Sequence, residues 1–164
     1  MFDSQPIFIA NKPGLYAALG QQASALLAGE SNLIANAANF SALLYHTLPD
    51  LNWAGFYFYD GNELLVGPFQ GKPACVRIAL GKGVCGTAAL QRATQVVPDV
   101  SAFAGHIACD SASRSEIVVP LLQGSRLIGV LDVDSPIHAR FDDQDREGME
   151  ALVAVFLHSL NLSD

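Results

Sequence analysis

Between Gly105 and Ser135 the chain reads GHIACDSASRSEIVVPLLQGSRLIGVLDVDS, and its chemistry lies in Cys109, Glu116, Asp132 and Asp134. Apolar Ile117 to Leu122, a turn at Gly124-Ser125 and apolar Leu127 to Val133 predict a β-hairpin. Side chains alternate along a strand with period two. Ile128, Val130, Asp132 and Asp134 are therefore expected on one face, with the two carboxylates about 7 Å apart. If the turn takes four residues, Leu122 pairs with Leu127 and Glu116 falls level with Asp132 and Asp134. Three acids and one cysteine then converge at one end of one hairpin.

Crowded carboxylates repel one another, so at least one should stay protonated near neutral pH. Nearby acids also raise a thiol's pKa, which disfavours acyl transfer by Cys109. A protonated acid beside a thiol suits a reaction in which sulfur attacks while an oxygen is protonated and leaves. Sulfoxide or peroxide reduction fits that description. The remaining ionised acids suit a cationic group such as an amino acid's ammonium. For a substrate carboxylate, backbone N–H groups near Ser115 to Val118 are the expected donors, with Arg114 a weaker candidate. His106-x-x-Cys109 offers two possible zinc ligands, but a third and fourth are not evident, and no metal is expected.

The elements that must position these groups follow in order. Leu15, Leu19 and Leu26 predict a helix after Pro13-Gly14 that ends at Gly29. Ser31 is the expected cap of a second helix, with Leu33, Ala37, Phe40, Leu44 and Leu48 on one face. Trp53 to Tyr59 reads as a strand apolar on both faces, followed by a turn at Asp60-Gly61. Trp53 and Tyr57 on one face offer an aromatic wall, with Gly55 leaving room between the rings. A loop is expected from Gly67 to Pro73, then a short strand from Ala74 to Ile78 containing Cys75. Cys85 falls in the first turn of a helix from Val84 to Arg92, where the helix N-terminus would lower its pKa. After a short strand from Gln95 to Pro98, residues 99–115 lack clear periodicity, and a loop that long is usually functional or mobile. Asp142 is the expected cap of a closing helix carrying Met149, Leu152, Val153, Phe156 and Leu160. The whole reads as one α+β domain spanning 1–164.

Composition narrows the function classes. A hydrophobic fraction of 51% with 15% charged residues argues against disorder. The net charge of −7 has no compensating basic patch, so neither nucleic acid nor an anionic membrane is an expected partner. No apolar run approaches the roughly 18–20 residues needed to cross a bilayer. No signal peptide is apparent, and a cytoplasmic location is expected. Three cysteines are too few, and too widely spaced, for a stapled secreted domain or a C-x-x-C motif.

The segments PACVRIALGKGVCGTAA, HIACDSASRSEIVVPL and GVLDVDSP followed by RFDDQD closely resemble the free methionine-R-sulfoxide reductases, small GAF-domain enzymes. The resemblance implies a GAF-like fold: a central antiparallel sheet of about six strands, flanked by N- and C-terminal helices, usually in a homodimer. It implies reduction of the R epimer of free methionine sulfoxide, with electrons from thioredoxin and NADPH and no bound cofactor. By the same resemblance Cys109 is the catalytic cysteine that becomes sulfenic acid. Cys75 matches the main resolving cysteine, and Cys85 an auxiliary or alternative resolver. Glu116, Asp132 and Asp134 match the acids that bind the ammonium and assist proton delivery to the sulfoxide oxygen. Trp53 and Tyr57 match the aromatics around the substrate's methyl group. Two other readings fit the cysteines: a non-catalytic GAF module that senses a small ligand, and a general thiol peroxidase. Neither accounts well for the three acids.

Overall fold

Leu19, Ala23 and Leu27 recur along one side of the first helix, and all three are buried. In the computed structural model, which describes residues 6–7, 9–105 and 110–161, that helix is α1 (Lys12–Leu27). It is followed by α2 (Leu33–Thr47), whose buried side chains include Ala37, Phe40, Leu43 and Leu44. The cap of α2 is Asn32 and not Ser31: its side chain accepts from the N–H groups of Ile34 and Ala35, each at 3.0 Å. An asparagine one residue later reaches the orphan donors that the serine was expected to satisfy.

The strands are β1 (Trp53–Tyr59), β2 (Glu63–Gly71), β3 (Arg77–Ala79), β4 (Gln95–Val97), β5 (Ser115–Gln123) and β6 (Arg126–Ser135). They form one sheet in the order β3-β2-β1-β6-β5-β4, and every neighbouring pair is antiparallel. Helix α3 (Gly83–Gln91) joins β3 to β4, and α4 (Asp143–His158) closes the chain. Among the described residues, no helix is long and apolar enough to cross a membrane.

Each face of the sheet carries its own core. On one face Ala54, Phe56, Ile117, Val119, Leu131 and Val133 pack against α1, α2 and α4. Phe40, Phe56 and Phe156 meet there, with centroid separations of 4.6 to 5.9 Å. On the other face Trp53, Tyr57, Val118 and Val130 pack with Val84, Cys85 and Ala88 of α3. Three helices thus support the sheet from behind, and one covers the front.

Two expected loop–strand assignments differ from the structure. The segment from Gly67 to Gly71 extends β2, because Phe69, Gln70 and Gly71 pair with Gly55, Ala54 and Trp53. A register shift between Gly55 and Tyr57 takes up Gly67 and Pro68, so the proline's missing donor falls at an irregularity. Conversely Cys75 precedes β3 and lies in irregular backbone. A second register shift at Leu121/Leu122 moves Ile128 off the face of Val130 and Asp132 and into the core beneath α1, α2 and α4.

The N-terminal helix is fastened to α4 by polar contacts. Asp145 is fully buried; it accepts from Tyr16 Oη at 2.8 Å and Arg140 Nη1 at 3.1 Å, and also from Lys12 Nζ. Asp145 also completes a capping box with Asp142. Gly148 lets the two helices approach: a Cβ there would lie 2.2 Å from the Tyr16 ring. Removing the central carboxylate would leave the nearly buried Arg140 charge without its carboxylate, while Lys12 would keep Asp142 at 2.7 Å. Asp145→Ala is expected to destabilise the protein by about 3–5 kcal/mol in urea unfolding, whereas Asp143→Ala should stay within about 0.5 kcal/mol.

Candidate active site

The β5–β6 hairpin meets β1 so that one patch of the front face collects the chemistry. Glu116 pairs with Asp134, and Val118 with Asp132. On the other side of β6, Trp53 is opposite Asp134 and Gly55 opposite Asp132. Paired residues share a face, so the three acids converge. Alternation joins Asp132 to Asp134, and a register shift at Leu121/Leu122, not the Leu122–Leu127 register alone, pairs Glu116 with Asp134 instead of Val133. Their cavity is lined by Trp53 and Tyr57, by Pro73, Ala74 and Ile78, and by Lys82, Gly83, Val84 and Cys85 of the α3 entry. Asp110 and Ser113 of the long loop border it too. Cys109 lies outside the described residues.

The aromatic wall is deeper than expected. Trp53 stacks on Tyr57 at 5.8 Å and on Phe69 at 5.1 Å, and its Nε1 donates to the Lys72 carbonyl at 3.1 Å. Gly55 does not hold open a gap for a ligand. A Cβ there would lie 2.2 Å from Phe69 Cβ, so the glycine admits Phe69 from β2. Nothing in the sequence of β2 signalled this, because Phe69 belongs to the stretch read as a loop.

Burial dominates the electrostatics. Glu116 and Asp132 are 5% and 7% exposed. Burial, followed by the neighbouring Asp132 and Asp134 charges, holds Glu116 well above the usual carboxylate range. Asp134 is likewise well raised, by burial and then by Asp132 and Asp110. Asp132 is raised to about 6, chiefly by burial, with Cys85 and then Glu116 pulling it back down. Oδ1 of Asp132 is buried without a hydrogen-bond partner. Tyr57 is held neutral by burial and by the nearby acids.

Cys85 sits in the first turn of α3 as expected, but its thiol is pushed up and not down. Desolvation acts first, and the charges of Asp132 and Glu116 add to it; together they outweigh the helix N-terminus. The thiol stands 3.9 Å from Glu116 Oε1. Cys85 is free, whereas Cys75 is held in a disulfide.

Sequence reasoning missed the support around Asp110. Its carboxylate accepts from the Ala112 N–H at 2.9 Å, Asn52 Nδ2 at 3.1 Å and Lys72 Nζ at 3.3 Å, which keep it below the usual carboxylate range. Asn52 also donates to Ser113 Oγ, tying the loop to the start of β1. Of the expected anion donors, the N–H groups from Glu116 to Val118 are taken. From Glu116 to Val118, β5 is paired on both sides, so its N–H groups serve the ladders, and Arg114 Nη1 turns to the Ser111 carbonyl.

A model of the GAF domain matches residues 17–157. The free methionine-R-sulfoxide reductase of Escherichia coli (strain K12) is 54% identical over 144 residues, spanning 88% of this chain and 87% of that protein. A GAF protein from Burkholderia vietnamiensis, known from its crystal structure, is 70% identical; it superposes with a TM-score of 0.89 over 92% of this chain and 96% of its own. The X-ray structure of the Neisseria meningitidis free methionine-R-sulfoxide reductase in complex with its substrate gives a TM-score of 0.92 at 42% identity, covering 97% and 95% of the two chains. The chain belongs to the GAF-domain family and, within it, to the free methionine-R-sulfoxide reductases.

The raised carboxyls give a pH signature. Between the ordinary aspartate value of 3.8 and about 6, folded Asp132 keeps a proton that the unfolded chain has lost. That contribution is complete at low pH and lost as pH rises through 6. Relative to Asp132→Asn, the wild type is expected to lose up to roughly 3 kcal/mol between pH 4 and 7. Urea unfolding across that range checks it, and parallel profiles would contradict it.

Proposed function

We propose that this chain reduces free L-methionine (R)-S-oxide to L-methionine through a sulfenic acid and a disulfide. The observation that carries the reading is the joining of a buried three-carboxyl cluster to the Trp53–Tyr57 wall in one cavity. The cluster suits an ammonium, the wall suits a methyl sulfur group, and the retained protons suit a departing oxygen.

Cys109 attacks the sulfoxide sulfur while a carboxylic acid of the cluster protonates the oxygen. The S–O bond breaks and the oxygen leaves as water. Water then attacks the Cys109 sulfur, the new S–S bond breaks, a proton is released, methionine leaves and Cys109 remains as sulfenic acid. The Cys75 thiol then attacks that sulfur, water departs and a disulfide forms. In our reading thioredoxin supplied by NADPH restores the two thiols. Cys85, buried and raised, is the auxiliary thiol. The substrate carboxylate faces the entry of α3, where Lys82 caps the helix without a side-chain hydrogen bond, so the first-turn N–H groups remain for an anion. Action in the cytoplasm as a homodimer completes the reading.

A free ammonium is needed to satisfy the acids, and an acylated nitrogen would leave them buried and unpaired. Resolved R and S epimers of methionine sulfoxide, assayed with thioredoxin, thioredoxin reductase and NADPH, test the proposal. Turnover of the R epimer is expected, abolished in Cys109→Ser and at least about 100-fold weaker for N-acetylmethionine sulfoxide. No turnover of either epimer would return the chain to a ligand-sensing role.

A further inference from the structure

We propose that Cys85, Glu116 and Asp132 form a binding site for a thiophilic divalent cation of the zinc class, and that this ion excludes the substrate. Their ligand atoms all lie within 4.8 Å of one another, on three buried residues. Neighbouring ligands on a tetrahedral zinc, with bonds of about 2.3 Å to sulfur and 2.1 Å to oxygen, stand about 3.6 Å apart. The Cys85 Sγ–Glu116 Oε1 separation of 3.9 Å needs to close by only a few tenths of an ångström. The widest separation the cluster allows closes by about an ångström, within reach of side-chain rotation.

A second observation points to a ligand at the same place. Asp132 Oδ1 is buried without a hydrogen-bond partner in a residue that is 7% exposed and borders the cavity. A buried carboxylate oxygen left unmet is costly, and a cation would satisfy it. The thiol decides which cation. An ammonium or a magnesium ion takes oxygen ligands and has no use for sulfur, whereas one thiolate beside two carboxylates favours zinc, cobalt or cadmium. The cluster borders the cavity that Trp53 and Tyr57 line, from which a water would supply the fourth ligand. Asp134 adds negative charge next to it.

Binding moves protons and no electrons. The metal–sulfur bond replaces the S–H bond, the metal–oxygen bond replaces the carboxyl O–H, and the protons pass to solvent, so apparent affinity rises with pH. Binding of the ion stands on the cluster alone, whereas competition with substrate rests on the proposed reductase function.

The test uses the full-length protein with the Cys75 disulfide intact, so that Cys85 is the thiol on offer, and cobalt(II) as the probe. A thiolate-to-cobalt charge-transfer band is expected in the wild type and absent in Cys85→Ser. Asp132→Asn should weaken cobalt at least about 10-fold, since even an outer-shell change costs that much. Equilibrium dialysis of zinc on the same proteins gives a reading that does not depend on colour. No uptake, or a band retained in Cys85→Ser, overturns the site. Free methionine-R-sulfoxide should displace the cobalt. If it does not, while the metal-free enzyme turns over, competition is overturned. If the metal-free enzyme shows no turnover, the functional reading falls while the cobalt band still reports the site.

Discussion

Three carboxyl groups drawn out of water onto one patch of a sheet cannot all be charged. Burial removes the hydration that each charge needs, and each ionised neighbour makes the next ionisation harder. Glu116, Asp132 and Asp134 therefore behave as one unit holding fewer negative charges than carboxyls. In the proposed function a small cation entering the cavity is bound through that balance, and the same unit keeps acidic protons within reach of a leaving oxygen. Recognition and proton supply would then come from one constraint.

The surrounding fold preserves that constraint. The β5–β6 register sets Glu116 beside Asp134, and the β1–β6 register brings Trp53 over the acids. Gly55 lets Phe69 slide under Trp53, which thickens the wall without narrowing the cavity. On the far face, Phe40, Phe56 and Phe156 hold α2 and α4 against the sheet. There Asp145 is matched by Lys12, Arg140 and Tyr16, so a second buried carboxylate is stabilised by partners. Asp132, with an oxygen left unmet, has no such full set. A buried carboxylate without its full set of partners is how a binding site differs from a structural ion pair.

Much of this was legible in the sequence. Period-two alternation placed Asp132 and Asp134 on one face, and the Gly124-Ser125 turn brought Glu116 level with them, but the register shift at Leu121/Leu122 is what sets it on their face. Capping and helical spacing located α4 from Asp142 and α1 from Leu15 and Leu19. The failures arose where neighbours outvoted local signals. Ile128 changed face because a bulge is a property of two strands together. Gly67 and Pro68 read as loop residues, yet β1 recruits the segment into β2. For Cys85 the helix N-terminus was visible in the sequence, but the desolvation and the facing acids that reverse its effect come from distant residues. The Asp110–Asn52–Ser113 contacts were invisible for the same reason.

If the carboxyl cluster acts as proposed, an entering ammonium expels part of its protons and leaves at least one for the leaving oxygen. Titration calorimetry of L-methionine binding to the reduced protein near pH 7, in two buffers of different ionisation enthalpy, measures this directly. Net release of protons on binding is expected, and it should shrink in Glu116→Gln. Binding with no proton exchange, or with uptake, would mean that the acids are already ionised and would contradict the account.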